Sequence, residues 1–129
     1  MPKQAITDVP GAPAAIGPYS RAIWADNLLF LAGLTGIDPA TGELVTGGVE
    51  IEAEQTLRNV EIILVATGSS VADVVKATVY LTDMDDFAAA NAVYARHFKE
   101  PFPARTTVAV KALPKGARIE VEVVALRSS

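Results

Sequence analysis

Two kinds of charged residue near the C-terminal end of this chain have the types that carboxylate chemistry requires. Arg105 follows Phe102-Pro103-Ala104, a stiff lead-in, and opens a strand-like run. A planar guanidinium meets a carboxylate through two parallel charge-assisted hydrogen bonds, so Arg105 is a candidate anion handle. Taken alone, it reads more readily as half of a surface ion pair. Glu120 and Glu122 alternate in a second strand-like run. A carboxylate beside an anion handle can orient water or carry a proton; otherwise two alternating glutamates are a solvated strand face. Tyr19, after Gly17-Pro18, reads equally as a core aromatic or as the wall of a site. His97 is the single histidine and falls in the last turn of an expected helix, where it reads as a surface or helix-end residue.

Other chemistries find no support. With no cysteine there is no thiolate nucleophile, disulfide framework or thiolate-bound metal. The chain has no phosphate-binding glycine loop with its lysine, no dinucleotide fingerprint and no metal-ligand cluster. The net charge is −4, and the eleven Lys and Arg residues are scattered. Nucleic-acid binding draws on a basic face, so nucleic acid is not an expected partner. No apolar run reaches the roughly 18 residues of a membrane span, and Met1-Pro2-Lys3-Gln4 does not begin a signal segment. A cytoplasmic protein with no membrane partner is the expectation.

The elements that must position these residues follow from pattern. A length of 129 residues fits one domain over 1–129, and 50% hydrophobic content suffices for a packed core. Residues 8–16 read as an ordered loop leading into Gly17-Pro18-Tyr19-Ser20. Arg21–Trp24 and Leu28–Leu31 read as strands joined at Asp26-Asn27, residue types that suit a tight hairpin. Pro39–Glu43 is a second turn. Ala53, Leu57, Val60 and Leu64 recur at helical spacing within Glu50–Thr67, and Gly68 is a C-terminal stop. Val74–Leu81 alternates around β-branched residues and reads as a strand. A second helix spans about Asp85–Lys99, with Asp83, Asp85 and Asp86 at its positive end. Its apolar stripe of Phe87, Tyr94 and Phe98 includes Asn91, which must tie down a loop or serve a site.

Arg105–Ala112 and Arg118–Leu126 read as strands of one hairpin closed by residues 114–117. That register sets Lys111 opposite Glu120, and puts Arg105, Thr107 and Ala109 on one face with Glu120, Glu122, Val124 and Leu126. The helices are then expected over the other face, with Val108, Val110, Ile119, Val121, Val123 and Ala125. The uncovered face is half apolar, which points to self-association.

Gly17-Pro18-Tyr19-Ser20, Ala32-Gly33, Asp86-Phe87 with Asn91, Pro103-Ala104-Arg105-Thr106-Thr107, Leu113-Pro114-Lys115-Gly116 and Ile119-Glu120-Val121-Glu122 occur in an order that resembles the RidA/YjgF reactive intermediate deaminases. The resemblance runs from about Ile16 to the C-terminus and is most specific from Pro103 to Glu122. It implies a chorismate-mutase-like α+β fold: a six-stranded mixed sheet with two helices on one face. It further implies a homotrimer with a cleft at each subunit boundary. The implied activity is hydrolysis of 2-aminoacrylate and related enamines and imines to 2-keto acids and ammonia, with no cofactor or metal. Carried over by residue, Arg105 holds the substrate carboxylate and Glu120 orients or activates water. Tyr19 lines the cleft, Asn91 and the Gly33 backbone shape it, and Pro114 belongs to the signature turn. Two positions depart from the pattern. Many members have serine at Ala32, so a hydroxyl contact is missing. Many have cysteine at Thr107, a substrate-facing position, so thiol chemistry does not transfer.

Two other readings compete with imine hydrolysis. The same cleft in a non-catalytic ligand-binding or chaperone-like protein would hold a 2-keto acid without turnover. An RNA-cleaving translation inhibitor is opposed by the acidic charge and by the lack of a histidine pair for acid–base cleavage.

Overall fold

The computed structural model describes residues 2–129. The strands are β1 (Gln4–Ile6), β2 (Ala22–Ala25), β3 (Leu28–Leu31), β4 (Ile37–Asp38), β5 (Glu43–Leu44), β6 (Val74–Leu81), β7 (Ala104–Ala109) and β8 (Ile119–Leu126). The α-helices are α1 (Val49–Thr67) and α2 (Phe87–His97). A six-stranded sheet has the order β1-β2-β3-β8-β6-β7, and β4 and β5 form a separate two-stranded ribbon. Both helices pack on one face of the large sheet, in an α+β architecture. No helix among the described residues is long and apolar enough to cross a membrane.

The local elements follow their sequence signals. In α1, Glu50 and Glu52 complement the positive end of the helix, and Gly68 closes it in the left-handed conformation, its N–H donating to Leu64 O and Val65 O. Leu57, Val60, Ile63 and Leu64 form the buried stripe and meet Val79, Leu81, Ile119, Val121 and Val123 of the sheet. Fully burying one such side chain contributes about 1.5–3 kcal/mol. Before α2, the Asp83 carboxylate accepts from the Asp85 N–H, opening a short 3₁₀ turn that feeds the helix. Asp26 takes positive φ at the β2–β3 turn, as that residue type tolerates. The three-residue β1, which pairs with β2, lies in a stretch with no readable alternation.

The expected hairpin of β7 with β8 is not formed. β6 lies between them, parallel to β7 and antiparallel to β8. Helix α2 carries the chain from β6 back to β7 as a crossover, and crossovers join parallel neighbours. The turn at 113–117 therefore spans from the sheet edge past β6. This inverts the faces assigned to β7. Arg105, Thr107 and Ala109 pair with Ala77, Val79 and Leu81, which in turn pair with the buried Val123, Val121 and Ile119. Glu120 and Glu122 pair with Tyr80 and Thr78, and these with Val108 and Thr106, on the opposite face. Arg105 and Thr107 thus belong to the helix-covered face, while Val108 belongs to the uncovered face and is exposed. Ile119, Val121, Val123 and Ala125 lie under the helices as expected.

The face without helices combines Leu28, Phe30 and Leu126 with Val108, all large, apolar and exposed. Phe30 lies beside Val124, and Leu28 beside Leu126.

Candidate active site

The site residues gather at two places on the chain. The first is built on α2 and β7. Asn91 Oδ1 accepts a 2.7 Å hydrogen bond from Arg105 Nη1. The guanidinium carbon lies 4.6 Å from the centre of the Tyr94 ring and 5.8 Å from that of Phe87. Tyr94 in turn stacks on Phe98 at 4.3 Å. Residues 87, 91, 94 and 98 meet here because they recur at helical spacing on one side of α2. Arg105 forms no ion pair among the described residues. Arg105 is thus an oriented, exposed guanidinium with no internal carboxylate, which removes the surface ion-pair reading among the described residues. Asn91, the polar member of the apolar stripe, thus spends its side-chain oxygen on orienting Arg105. Thr107 lies one strand position pair beyond Arg105 and lines the same apolar recess with Asn91 and Tyr94. Burial pushes the Tyr94 phenol up, and the Arg105 charge draws it partly back.

The second place is a cavity of about 310 Å³ on the other side of the sheet, lined by Tyr19, Arg21, Gly33, Pro114, Lys115 and Glu120 among others. Tyr19 lines this cavity and is no core aromatic: it is 43% exposed, and its hydroxyl accepts from the Ile16 N–H at 3.3 Å. Gly33 allows close approach, since a Cβ there would lie 2.7 Å from Glu120 Cδ and Oε2. Leu34 exchanges two 2.9 Å backbone hydrogen bonds with Val121, which fixes Gly33 against the β8 segment that carries Glu120. Pro114 starts a 3₁₀ turn in which Lys115 adopts φ 58°, and Lys115 Nζ donates to Gly42 O at 3.2 Å.

Glu120 is half-buried. Its carboxyl is pushed above the ordinary range, first by burial and then by repulsion from Glu122, while the Arg21 charge pulls it back. A carboxylate in that state is suited to exchanging a proton with water. Glu122 is not an inert neighbour. It accepts a 2.5 Å hydrogen bond from the Tyr80 hydroxyl, which with burial pushes that phenol up to about 12. Its strand partner on β6 is Thr78.

Arg105 and Glu120 are therefore not brought together within one chain, contrary to the shared face expected from a hairpin. Arg105, Asn91 and Thr107 form one half; Glu120, Tyr19, Gly33 and Pro114 form the other. His97 lines neither; its Nε2 lies 3.0 Å from Glu54 Oε1 at the α1–α2 contact. Sequence reasoning missed two contributors. Arg21 is buried in the wall of the second half, and its signal was position, directly after Gly17-Pro18-Tyr19-Ser20. Asn59, fully buried in α1, donates to Thr35 O at 3.0 Å and Ile37 O at 2.8 Å and so anchors the loop after Gly33. Among the described residues no group of three or more His, Asp or Glu side chains is placed to hold a metal ion.

The chain is similar to known proteins along nearly its whole length. The family model described as Endoribonuclease L-PSP matches residues 10–127. A goat (Capra hircus) protein named 2-iminobutanoate/2-iminopropanoate deaminase is 52% identical over 116 residues, covering 90% of this chain and 85% of that one. The crystal structure of RidA from an Antarctic Psychrobacter superposes with a TM-score of 0.90 at 44% identity, covering 95% of this chain and 98% of the other. That of E. coli TdcF with bound serine superposes with a TM-score of 0.89 at 40% identity, covering 97% and 100%.

Proposed function

The chain belongs to the RidA/YjgF family of reactive intermediate deaminases, and from that premise we propose that it hydrolyses 2-imino acids to 2-keto acids and ammonia. The enamines that tautomerise to them, 2-aminoacrylate among them, are included. The observation that carries this reading is the presence, on opposite faces of the sheet, of a guanidinium at Arg105 oriented by Asn91 with no carboxylate partner among the described residues, and of a half-buried carboxylate at Glu120. The naming of a 52% identical relative as an imine deaminase, and of bound serine in a superposable structure, supports a small carboxylate-bearing substrate.

Because the two groups occupy opposite faces of one sheet, the complete site is assembled from two subunits. Arg105, Asn91 and Thr107 of one chain face the cavity of Glu120, Tyr19, Gly33 and Pro114 on a second. Closure of this head-to-tail contact after three copies gives a homotrimer with three clefts, and covers the apolar Leu28, Phe30 and Leu126. Cover for that face is otherwise lacking.

The chemistry is a balanced hydrolysis. Arg105 binds the 2-carboxylate bidentately and thereby places C2 of the imine over the Glu120 side. With the imine nitrogen protonated, Glu120 accepts a proton from water as the water oxygen bonds to C2, and the C=N π pair moves to nitrogen. The resulting carbinolamine carries both hydroxyl and amino groups on C2. Glu120 returns the proton to nitrogen, the C–N bond breaks and ammonia leaves, and the carbonyl forms as the hydroxyl proton passes to the Glu120 carboxylate and on to ammonia. An imine carbon is already electrophilic, so orientation and proton transfer suffice; the acid–base part supplies about 10²–10⁴-fold.

Ammonia release from a panel of 2-imino acids, generated in situ by an amino-acid oxidase, tests the reading. Acceleration of about a hundredfold over spontaneous hydrolysis is expected. Tight binding of 2-keto acids with no acceleration would make the protein a ligand-binding module. RNA cleavage, which the family model's description names, has no observation in its favour: the net charge is −4, and the single histidine pairs with Glu54. RNA incubated with the protein should stay intact.

A further inference from the structure

We propose that Arg21 is a positioning residue for Glu120, an inference that rests on the catalytic role assigned to Glu120 above. Arg21 is 3% exposed, and a buried cation is costly unless it is paired and fully hydrogen-bonded. Here it is neither. It forms no ion pair among the described residues. Its two hydrogen bonds, to Pro13 O and Gly33 O, are both long at 3.4 Å, and its Nε is buried without a partner. The guanidinium carbon lies 5.3 Å from the Tyr19 ring centre.

The geometry gives this charge a use. Gly33 stands between Arg21 and Glu120: its carbonyl accepts from Arg21 Nη2, and its Cα lies against the Glu120 carboxylate. Arg21 thus fixes the surface on which Glu120 rests, and it shares the cavity with that carboxylate. The other ionisable groups around Glu120 do not replace it. Glu122, two residues along β8, repels it, and Tyr80, directly across on β6, commits its hydroxyl to Glu122. Arg118 turns toward Glu52, with 3.8 Å between Nε and Oε2. Tyr19 and Lys115 line the cavity, the lysine held by Gly42 O. Arg21 is the cation that draws the Glu120 carboxyl partly back toward its ordinary range, against the larger opposing effects of burial and Glu122.

Arg21→Gln keeps a donor for the Gly33 carbonyl and removes the charge; Arg21→Lys keeps the charge. The acidic limb of the kcat/KM profile should move up by about one pH unit in Arg21→Gln and stay near the parent position in Arg21→Lys. At neutral pH, Arg21→Gln should lose kcat several-fold with little change in KM. Carbon-13 NMR titration of the Glu120 carboxyl, assigned by its absence in Glu120→Gln, should show the same upward displacement without reference to turnover. Arg21→Met, which keeps the aliphatic stem, replaces Arg21→Gln if that variant does not fold. An unmoved Glu120 titration in a folded neutral variant would overturn the proposal and leave Arg21 as a tie between two loops. A displaced titration in a protein that deaminates no imine would uphold the coupling and defeat the functional reading alone.

Discussion

Arg105 and Glu120 lie on opposite faces of the same sheet: Arg105 is in register with Ala77 of β6, and Glu120 with Tyr80, an odd number of residues further on. Side chains alternate along a strand, so the first side chain is on the helix side and the second is on the uncovered side. Neither alone meets the needs of imine hydrolysis, which requires a held carboxylate and a presented water.

Arg105→Lys keeps the charge but loses the planar fork that Asn91 Oδ1 and the Tyr94 ring orient. A point charge on a flexible stem holds a carboxylate loosely. The kcat/KM should fall at least about thirtyfold, equivalent to about 2 kcal/mol, while the thermal midpoint stays close to the parent value. Near-normal turnover would return Arg105 to the status of a surface residue.

Gly33→Ala should damage activity more than stability. The added Cβ would meet the Glu120 carboxylate at 2.7 Å, so the side chain must swing away from its place in the cavity. Overpacking of this kind costs about 1–3 kcal/mol, which lowers the midpoint by several degrees. Steady-state kinetics should show kcat reduced at least tenfold. A variant with unchanged kcat would mean that the position of Glu120 against Gly33 has no part in catalysis.

The raised carboxyl of Glu120 has a consequence for stability. A carboxyl that holds its proton more tightly when folded than when unfolded costs stability as pH rises through the window between its unfolded and folded values. Below that window the cost is absent. Glu120→Gln should therefore melt no lower than the parent at neutral pH, and the difference should shrink as pH falls toward about 4. Thermal melts across that range check the sign; a variant less stable than the parent at every pH would show that the carboxylate is net stabilising.

Much of this was legible along the chain. Helix α1 was readable because Ala53, Leu57, Val60 and Leu64 repeat at helical spacing and Gly68 can adopt the left-handed closing conformation. Strand β6 was readable from its β-branched alternation, and the start of α2 from Asp83, whose carboxylate caps the preceding turn. The order of strands was not readable. A turn at Pro114–Gly116 between two strand-like runs looks like a hairpin, and only the tertiary fact that β6 slips between β7 and β8 decides otherwise. One such error reverses the parity of every β7 residue, which is why Arg105 and Glu120 were expected side by side. Arg105, Glu120, Tyr19 and Asn91 were singled out by type and position, and Gly33, Thr107 and Pro114 only through the family resemblance; that Arg105 and Glu120 lie on opposite faces of the sheet was not readable. Arg21 had only its position after Gly17-Pro18-Tyr19-Ser20 as a signal, and an arginine at the start of a strand ordinarily faces water.

The most direct test of a site shared between subunits is complementation between Arg105→Ala and Glu120→Gln chains. Each variant alone should release almost no ammonia from a 2-imino acid. After refolding together in equal amounts, roughly a quarter of the clefts in random trimers should pair an intact Arg105 with an intact Glu120. Ammonia release should then recover to about that fraction of the parent rate. Mixed assemblies no more active than the separate variants would contradict the shared site and, with it, the division of labour between Arg105 and Glu120.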